Sequence, residues 1–315
     1  MRHAINHKWH VRPVVNKSVY QASPLKRHRR TKAQSEQLND QIVRAALKDF
    51  PESQTSVRHV FYEMTDPRLP EPVEKTENGY TQVQERSVRL RRSGRIPYGC
   101  FADMSRSGFF TKTFNNASDF LAQTKGLYRG NLWKDADCRC EVWVESRSIA
   151  GVLRLDCHEL AVDLYPCGGF SGISFAYEAA EEHNSNTDDS RPLHVFYIGD
   201  YDPAGVLIDV ALERELRRHL RPDIELSFER IGINPAQIKK YNLPTKPRNK
   251  KDKRSPHIET TVEAEAMPAK ILRGILRPKV EALLPRNALR VTQVAEESER
   301  QLLDGVERAL RRKQS

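Results

Sequence analysis

The second half of the chain alternates between short apolar runs and amphipathic stretches. Four apolar runs predict β-strands, and the amphipathic stretches between them predict helices. Because the links are short, this alternation predicts an open, mainly parallel sheet that is covered by helices. The predicted strands are residues 141–145, 161–167, 193–199 and 224–233, and the predicted helices between them are residues 146–160, 171–183 and 204–220.

The first half of the chain predicts three short helices and then a strand and a turn. This order is typical of a winged-helix domain, in which the third helix enters the major groove of DNA. Three residues near the start of the second helix, Ser53, Thr55 and Ser56, are candidate N-caps. The helices are predicted over residues 35–51, 56–64 and 80–94, and the strand and turn over residues 95–106.

These elements divide the chain into four parts. Residues 1–35 form a basic, flexible arm, residues 36–125 form the winged-helix domain, and residues 138–285 form the sheet domain. Residues 286–315 form a C-terminal helix with a basic tail. The expected fold class is mixed α/β, with an N-terminal winged-helix domain, a Rossmann-like and mainly parallel sheet, and C-terminal helices.

Positive charge is clustered along the chain. The sequence contains 52 Lys and Arg residues against 42 Asp and Glu residues, which gives a net charge of +10. Residues 1–35 contain nine of these basic residues and no acidic residue, and residues 246–254 and 308–313 are also basic. Such clusters favour double-stranded DNA as a partner, with a solvated arm as the alternative for the first cluster. The candidate DNA-binding residues are Arg86, Arg89, Arg91 and Arg92 on the third predicted helix and Lys250 and Lys251 in the second basic cluster.

Composition also argues against a membrane protein. No apolar run approaches the roughly 20 residues of a membrane span. The N-terminal residues lack the apolar stretch of a signal peptide. We therefore expect a cytoplasmic protein without a membrane partner, associated with the nucleoid if the protein is bacterial.

The chain has five cysteines, an odd number without dense spacing, which argues against a disulfide-stabilised fold. Some of them, with a neighbouring histidine, leave open a zinc site, although the spacing matches no zinc-finger or zinc-ribbon pattern. Free thiols are the alternative. The residues concerned are Cys138, Cys140, Cys157, His158 and Cys167.

Three acidic residues follow the predicted strands of the sheet domain. Glu145 ends the first predicted strand, and Asp200 and Asp202 follow the third. Ligand-binding groups of an open parallel sheet gather beyond the carboxyl ends of its strands, so we expect these carboxylates to converge. Carboxylates packed together without a cation resist ionisation, whereas Mg²⁺ binds a few carboxylate oxygens together with water and phosphate. The sequence therefore predicts a Mg²⁺ site, with helix capping as the alternative role of Asp202.

The acidic motifs resemble those of a known domain. A Glu at the end of a first strand, followed later by DYDPAG at residues 200–205, resembles the Toprim domain of topoisomerases, primases and some nucleases. The DYDPAG form is similar to that of the A subunit of type IIB topoisomerases (topoisomerase VI) and of the related Spo-eleven family. Residues 229–244 and 262–268 also resemble segments of that group, and the similarity covers residues 40–285.

This resemblance implies that residues 138–285 are a Toprim domain and that residues 55–64, TSVRHVFYEM, carry a nucleophile. In this group an Arg precedes an aromatic–Tyr pair, and the last Tyr attacks DNA. The matching residues are Arg58 and Tyr62. Attack by a phenolate gives a 5′-phosphotyrosyl link that conserves the energy of the broken bond. Arg58 would stabilise the phenolate or the phosphate, with simple phosphate binding as the alternative.

The resemblance also bears on partners. Relatives pair the Tyr of one subunit with the metal of the other, which implies a homodimer that cuts both strands. The sequence has no nucleotide-binding loop of the Walker form, so ATP hydrolysis would come from a separate subunit.

Two positions depart from the pattern of the group. Glu145 is followed by Ser146, where relatives often carry Lys. Arg58 is followed by His59, where relatives often carry an acid or an amide. We expect His59 to be exposed, with proton acceptance from Tyr62 as the alternative.

Three functions remain open at this stage. The first is a topoisomerase-like, DNA-cleaving protein that uses Tyr62 and Mg²⁺. The second is a metal-dependent Toprim nuclease of a mobile element or defence system, in which the three carboxylates activate water and Tyr62 is structural. The third is a catalytically inactive relative that only binds DNA.

Overall fold

The protein has a mixed α/β structure, 52% helical, with a four-stranded parallel sheet. The computed structural model describes residues 30–102, 111–168, 173–249 and 251–314. The helices are α1 (Lys32–Leu47), α2 (Val57–Met64), α3 (Glu77–Arg92), α4 (Ala117–Thr124), α5 (Arg147–Glu159), α6 (Ile173–Ser185), α7 (Gly205–His219), α8 (Pro235–Lys240), α9 (Ala269–Glu281) and α10 (Ala288–Gln314). The strands are β1 (Arg139–Val144), β2 (Asp163–Pro166), β3 (Leu193–Ile198), β4 (Leu226–Gly232), β5 (Lys246–Pro247) and β6 (Thr260–Thr261).

The four longer strands lie in the order β2–β1–β3–β4, and every neighbouring pair is parallel. Val142 of β1 pairs with Leu164 of β2 on one side and with Phe196 of β3 on the other. Because the strands are parallel, the carboxyl ends of β1 and β3 lie side by side. The predicted parallel sheet and its intervening helices are confirmed, with bounds that differ by a few residues.

Both faces of the sheet are buried, which explains why its strands are nearly continuous apolar runs. Val142 and Val144 belong to a core that includes residues of α5 and α9. Trp143, between them in sequence, belongs to a second core with residues of α6 and α7. The first core continues into the N-terminal helices, where Ile42 and Phe61 are members of the same cluster. The N-terminal helices and the sheet therefore share one hydrophobic core.

The three predicted N-terminal helices are present as α1, α2 and α3. The predicted strand over residues 95–106 is wrong in its described part, residues 95–102. Tyr98–Cys100 form a 3₁₀ turn, and Phe101 makes only an isolated bridge to Thr55. Pro97 contributes to this difference, because its nitrogen carries no hydrogen to donate to a neighbouring strand.

The C-terminal helix α10 lies against α4. The sequence pattern did not predict α4. Lys125, just after α4, forms an ion pair of 2.5 Å with Asp304 of α10. Glu296 of α10 is buried and accepts hydrogen bonds from Arg129 and from the backbone of Gly130, both at 2.9 Å. Residues 117–130 therefore pack on the C-terminal helix. Neither α10 nor any other helix within the described residues is long and apolar enough to cross a membrane.

Candidate active site

The acidic residues that follow β1 and β3 meet at the carboxyl edge of the sheet. The backbone N–H of Glu145 donates to the carbonyl of Ile198 at 2.9 Å, which extends the pairing of the two strands by one residue. The side chain of Glu145 then turns back, and its Oε2 accepts a hydrogen bond of 2.9 Å from the backbone N–H of Asp200. The predicted proximity of Glu145 and the Asp200 loop is confirmed.

Two glycines allow this close approach. A Cβ atom on Gly199 would lie 2.8 Å from Oε2 of Glu145 and 2.6 Å from the ring of Tyr197. A Cβ atom on Gly205 would lie 2.3 Å from the carbonyl oxygen of Asp200. Any larger residue at either position would force the loop away from Glu145, because such short contacts require the backbone to move.

Arg230 of β4 holds the Asp200 loop from the other side. Its guanidinium group donates to the carbonyl groups of Gly199 at 3.0 Å and Gly205 at 2.7 Å. It also forms an ion pair of 2.5 Å with Asp209 of α7. Arg230 was not among the predicted site residues, because an arginine within a strand gives no sign of the loop that it binds.

Asp202 has a different role from its two neighbours in the predicted site. Its Oδ1 accepts hydrogen bonds from the backbone N–H groups of Ala204 at 2.8 Å and Gly205 at 2.6 Å, at the start of α7. The alternative of helix capping is therefore realised. Within the described residues, no group of three His, Cys, Asp or Glu side chains is placed to hold a metal ion. The structure brings Glu145 and Asp200 together and leaves Asp202 at the helix.

The cysteine alternative is also resolved in part. All five cysteines are buried free thiols. Burial raises the pKa of the Cys140 and Cys157 thiols, which disfavours the thiolate that a metal requires. No cluster of three ligands that includes these cysteines occurs in the parts of the chain described above.

The electrostatics of the acidic pair fit a divalent cation. Burial, together with the negative charges of Glu145 and Glu265, raises the pKa of Asp200 to about 8. Burial also raises the pKa of Glu145, and the nearby charge of Asp202 adds to this effect. Mg²⁺ commonly binds one or two carboxylates and completes its shell with water and phosphate oxygens. Glu145 and Asp200 therefore form a donor set of the kind that Mg²⁺ uses.

A segment far along the chain closes this site. The backbone of Val262 exchanges two hydrogen bonds of 2.8 Å with Tyr201, and the N–H of Ala264 donates to Oδ1 of Asp200 at 2.8 Å. Glu265 accepts a hydrogen bond of 2.9 Å from Ser146, the residue that follows Glu145. Residues 262–268 were singled out only by resemblance, and no pattern in the sequence indicated this contact.

Helix α2 places Tyr62 beside the same segment. Tyr62 is buried, with 7% of its surface exposed, and its hydroxyl interacts with the carboxylate of Glu263. Arg58, one helical turn earlier, forms an ion pair with the same carboxylate, and Nζ of Lys246 donates to it at 2.7 Å. Glu263 therefore connects the tyrosine of α2 to the segment that binds Asp200.

The surroundings of Tyr62 keep its hydroxyl protonated. Burial raises the pKa of Tyr62, and the negative charge of the adjacent Glu263 carboxylate raises it further, while the charge of Arg58 opposes this shift. Burial disfavours the charged form of Arg58, but the adjacent Glu263 outweighs this and raises the pKa of the guanidinium. Lys75 lies over the ring of Tyr62, with its Nζ 5.4 Å from the ring centre.

His59 does not have the exposed position that we expected. Only 4% of its surface is exposed, and its Nδ1 lies 2.8 Å from Oγ of Ser56. Burial and the charge of Arg273 lower the pKa of His59 to about 4, so the ring is neutral at physiological pH. Its contact with Ser56 belongs to the start of α2, where Ser56 is the N-cap.

The candidate DNA-binding arginines of α3 differ in their surroundings. Arg86 donates to the side chain of Asn39 at 2.7 Å and to the carbonyl of Ser35 at 3.1 Å, so it joins α3 to α1. Arg91 lies over the rings of Tyr98 and Phe101. The two that remain exposed are Arg89 and Arg92.

The basic segment between β5 and β6 lies beside the acidic loop. Arg248 organises this segment by donating to the carbonyl groups of Ser255 at 3.2 Å and Ile258 at 3.0 Å. Oγ of Ser255 donates to the carbonyl of Pro203 at 3.0 Å, which fixes the segment to the loop that carries Asp200. Lys251 is exposed in this segment, whereas Lys250 lies outside the described residues.

No protein-family model matches this chain, and a search of curated proteins finds no significant match. The function proposed below therefore depends on the contacts of the site itself and on the resemblance of its motifs.

Proposed function

We propose that the protein binds double-stranded DNA and cleaves it in a Mg²⁺-dependent reaction like that of the topoisomerase VI A subunit. The observation that supports this proposal is that one segment of the chain contacts both Asp200 and Tyr62. Ala264 donates to Asp200, and the preceding residue, Glu263, binds the hydroxyl of Tyr62. In this proposal α1–α3 form a winged-helix domain and β1–β4 form a Toprim domain.

Glu145 and Asp200 are the residues that would hold Mg²⁺. When bound, the ion would supply positive charge to a phosphate of the substrate. Asp202 would join this pair only if its Oδ1 leaves the backbone N–H groups at the start of α7. Arg230 keeps the Asp200 loop in position for this role through its hydrogen bonds to the loop carbonyls.

Tyr62 is the nucleophile of the proposed reaction. Its hydroxyl oxygen forms a bond to phosphorus while the bond from phosphorus to the 3′ oxygen breaks, which gives a 5′-phosphotyrosyl link. The phenol proton passes to water, and the departing 3′ oxygen takes a proton from water. Arg58 lies one helical turn before Tyr62, and its positive charge stabilises both the phenolate and the attacked phosphate.

The proposed partners follow from this chemistry. Each chain contributes one Tyr62, so two copies are required to cut both strands of a duplex. ATP hydrolysis for strand passage would come from a separate subunit. Exposed cations at Arg89, Arg92 and Lys251 would contact the phosphate backbone.

A second candidate function is hydrolysis by a metal-dependent nuclease, and the burial of Tyr62 favours it. Tyr62 is only 7% exposed and its hydroxyl interacts with Glu263, so the side chain must be released before it can attack a phosphate. If Tyr62 only stabilises the fold, the carboxylates of Glu145 and Asp200 would position a water molecule for the attack instead.

Covalent trapping distinguishes these functions. The protein is incubated with uniformly labelled plasmid DNA and Mg²⁺, quenched with SDS and assayed for label bound to protein. We expect adducts with the natural protein and none with Tyr62→Phe, because the phenol oxygen forms the link. Tyr80→Phe is the matched control, since its ring also contacts Phe61 and Arg58 but has no assigned role in cleavage.

Other outcomes assign the remaining functions. Free 5′-phosphate ends that persist in Tyr62→Phe and disappear in Asp200→Ala would indicate the nuclease. Intact DNA with every divalent metal tested would indicate a protein that only binds DNA.

A further inference from the structure

Charged side chains from four separate segments lie around Tyr62 and Glu263. Arg58 comes from α2, Lys75 from the loop before α3, Lys246 from β5 and Glu263 from the segment after β6. Glu263 accepts from Lys246 at 2.7 Å, forms an ion pair with Arg58 and interacts with the hydroxyl of Tyr62. Three cations therefore surround one carboxylate at the proposed nucleophile.

Lys75 is the member of this group that lacks an acceptor. Its Nζ is buried and has no hydrogen-bond partner among the described residues. Burial and the charge of Lys246 lower the pKa of Lys75 to about 8, so the side chain is mostly protonated at neutral pH. A buried ammonium group without an acceptor is rare in proteins, because the loss of its hydrogen bonds to water is not compensated. The oxygen of an anionic ligand would supply this acceptor.

The group is accessible to such a ligand. The side chains of Arg58 and Lys246 are 37% and 35% exposed, and that of Glu263 is 25% exposed. Glu265 contributes a further negative charge that acts on both Arg58 and Tyr62. Within this group of side chains, three cations therefore face two carboxylates.

We propose that Arg58, Lys75 and Lys246 form a binding site for a phosphodiester group, and that Glu263 occupies this site in the free protein. A carboxylate and a phosphodiester each carry one negative charge and accept hydrogen bonds from the same donors. A DNA phosphate can therefore replace Glu263 without a change in the charge balance.

The replacement would activate Tyr62. While Glu263 is in place, its negative charge keeps the hydroxyl of Tyr62 in its protonated form, and its carboxylate occupies the space beside that hydroxyl. A phosphate in its place would lie next to the phenol oxygen, with the three cations arranged around both groups. Glu263 thus acts as an internal inhibitor that substrate displaces. The identity of the ligand as DNA rests on the proposed function, whereas the anion site itself does not require cleavage.

Binding measurements in EDTA test the site without any cleavage. Inorganic phosphate and a short DNA duplex are titrated into the full chain by calorimetry. We expect Glu263→Gln to bind phosphate about tenfold more tightly or better, and Lys75→Gln and Lys246→Gln to bind it about tenfold more weakly. Lys246→Arg, which keeps the charge, should retain most of the affinity. Thermal unfolding of each variant shows whether it is folded.

Glu229→Gln is the matched control. It changes the net charge by the same amount, but its carboxylate pairs with Lys279 of α9 at 2.7 Å. Phosphate affinity should stay within about twofold of that of the natural protein in this variant, since an exposed charge outside the site has a small and screened effect. An equal gain in both variants would show that only net charge matters and would overturn the inference.

The position of Tyr62 gives a second readout. In NMR spectra of protein labelled with ¹³C-tyrosine, the signal of Tyr62 is assigned by its loss in the Tyr62→Phe variant. We expect phosphate and Glu263→Gln to shift this signal in the same direction, because both remove the carboxylate from the hydroxyl. Undetectable phosphate binding, or affinity that is unchanged or lower in Glu263→Gln, would overturn the inference.

The trapping assay separates this inference from the proposed function. Tighter phosphate binding by Glu263→Gln without adducts from any variant would support the anion site and reject DNA cleavage through Tyr62. Adducts from the natural protein that disappear in Glu263→Gln, with phosphate affinity unchanged, would show that Glu263 assists the chemistry rather than blocks it.

Discussion

At the scale of single residues, Asp200 is a buried carboxylate whose ionisation is unfavourable in the absence of a cation. It lies beside Glu145, near Glu265, and its Oδ1 accepts only a backbone hydrogen bond from Ala264 among the contacts described above. Burial and these neighbours raise the pKa of Asp200 to about 8. In the unfolded chain, the pKa of this carboxyl group is about 3.9. Between these two pKa values the folded protein binds more protons at Asp200 than the unfolded chain, so this residue lowers the free energy of unfolding as the pH rises.

We therefore expect Asp200→Asn to stabilise the metal-free protein at pH 8 and to leave its stability unchanged near pH 4. The amide oxygen of Asn still accepts from Ala264, and the buried charge is absent. The gain in unfolding free energy has an upper bound of about 6 kcal/mol, at about 1.4 kcal/mol per pKa unit, and partial relaxation makes about 1–3 kcal/mol the expected range. Urea denaturation in EDTA at the two pH values measures it.

The exposed residue Asp188 supplies the control, because Asp188→Asn removes a carboxylate that is not buried. Excess Mg²⁺ should stabilise the natural protein more than Asp200→Asn, since the ion binds the folded state through this carboxylate. A loss of stability in Asp200→Asn at pH 8 in EDTA would mean that a protein cation already compensates Asp200.

At the scale of elements, α2 is a helix of only eight residues that carries both Arg58 and Tyr62. A helix this short is marginal alone, so its position depends on its N-cap and on burial of its apolar side chains. Ser56 supplies the cap by accepting a hydrogen bond of 3.2 Å from the backbone of His59, and its Oγ lies 2.8 Å from the buried ring of the same residue. Ser56 therefore both caps the start of α2 and contacts the ring of His59.

We expect Ser56→Ala to reduce the unfolding free energy by about 1–2 kcal/mol, because it removes the cap and leaves Nδ1 of His59 without a partner. Thermal and urea denaturation measure the change. Ser53→Ala is the matched control, since Oγ of Ser53 makes only a long contact of 3.4 Å with the adjacent carbonyl of Gln54. Equal losses in the two variants would show that Ser56 has no special role at the start of α2.

At the scale of the whole molecule, Arg30 follows a basic N-terminal segment and is itself bound to the folded protein. Residues 1–29 contain seven Lys and Arg residues and no Asp or Glu. Arg30 belongs to the folded protein instead, because its guanidinium group donates to Glu71 at 2.8 Å, Gln82 at 3.0 Å and the carbonyl of Pro72 at 2.7 Å. Residues 30–35, which were predicted to belong to the arm, are therefore part of the described fold.

Deletion of residues 1–29 should weaken DNA binding and leave thermal stability unchanged. The slope of log affinity against log salt should fall in magnitude by about 0.9 for each phosphate that the arm contacts. Arg30→Ala provides the converse control, with lower stability and little change in slope, since it breaks the contacts with Glu71 and Gln82. A slope that is the same with and without residues 1–29 would show that the arm does not bind phosphate.

Regular patterns in the sequence predicted the parts of the fold that depend on local periodicity. Helices α5 and α7 bury faces with regular spacing, and strand β3 is a nearly continuous apolar run, so the chain displays both patterns directly. The strand expected at residues 95–106 failed in its described part, because a Pro and a turn interrupt an apolar run there. The sequence pattern predicted no helix over residues 117–124, since α4 depends on its contact with α10 rather than on the spacing of its own apolar residues.

The candidate site divides in the same way. The proximity of Glu145 and Asp200 followed from the sequence, because the carboxyl ends of neighbouring parallel strands lie together. Tyr62 and Arg58 were selected by resemblance, and periodicity alone did not single them out. The role of Glu263 was not predicted, since the chain contains many Lys, Arg and Glu residues and spacing does not show which of them form pairs.

The sequence by itself determined helices α1–α3, the alternation of strands β1–β4 with helices α5–α7, the clusters of basic charge and the placement of two carboxylates at one edge of a sheet. Local periodicity and the geometry of parallel strands suffice for these features. Only the tertiary structure decided that Asp202 caps a helix, that His59 is buried and that Glu263 binds Tyr62, Arg58 and Lys246 together. These contacts join residues up to 205 positions apart, and their energies depend on burial and distance, which no single stretch of the chain contains.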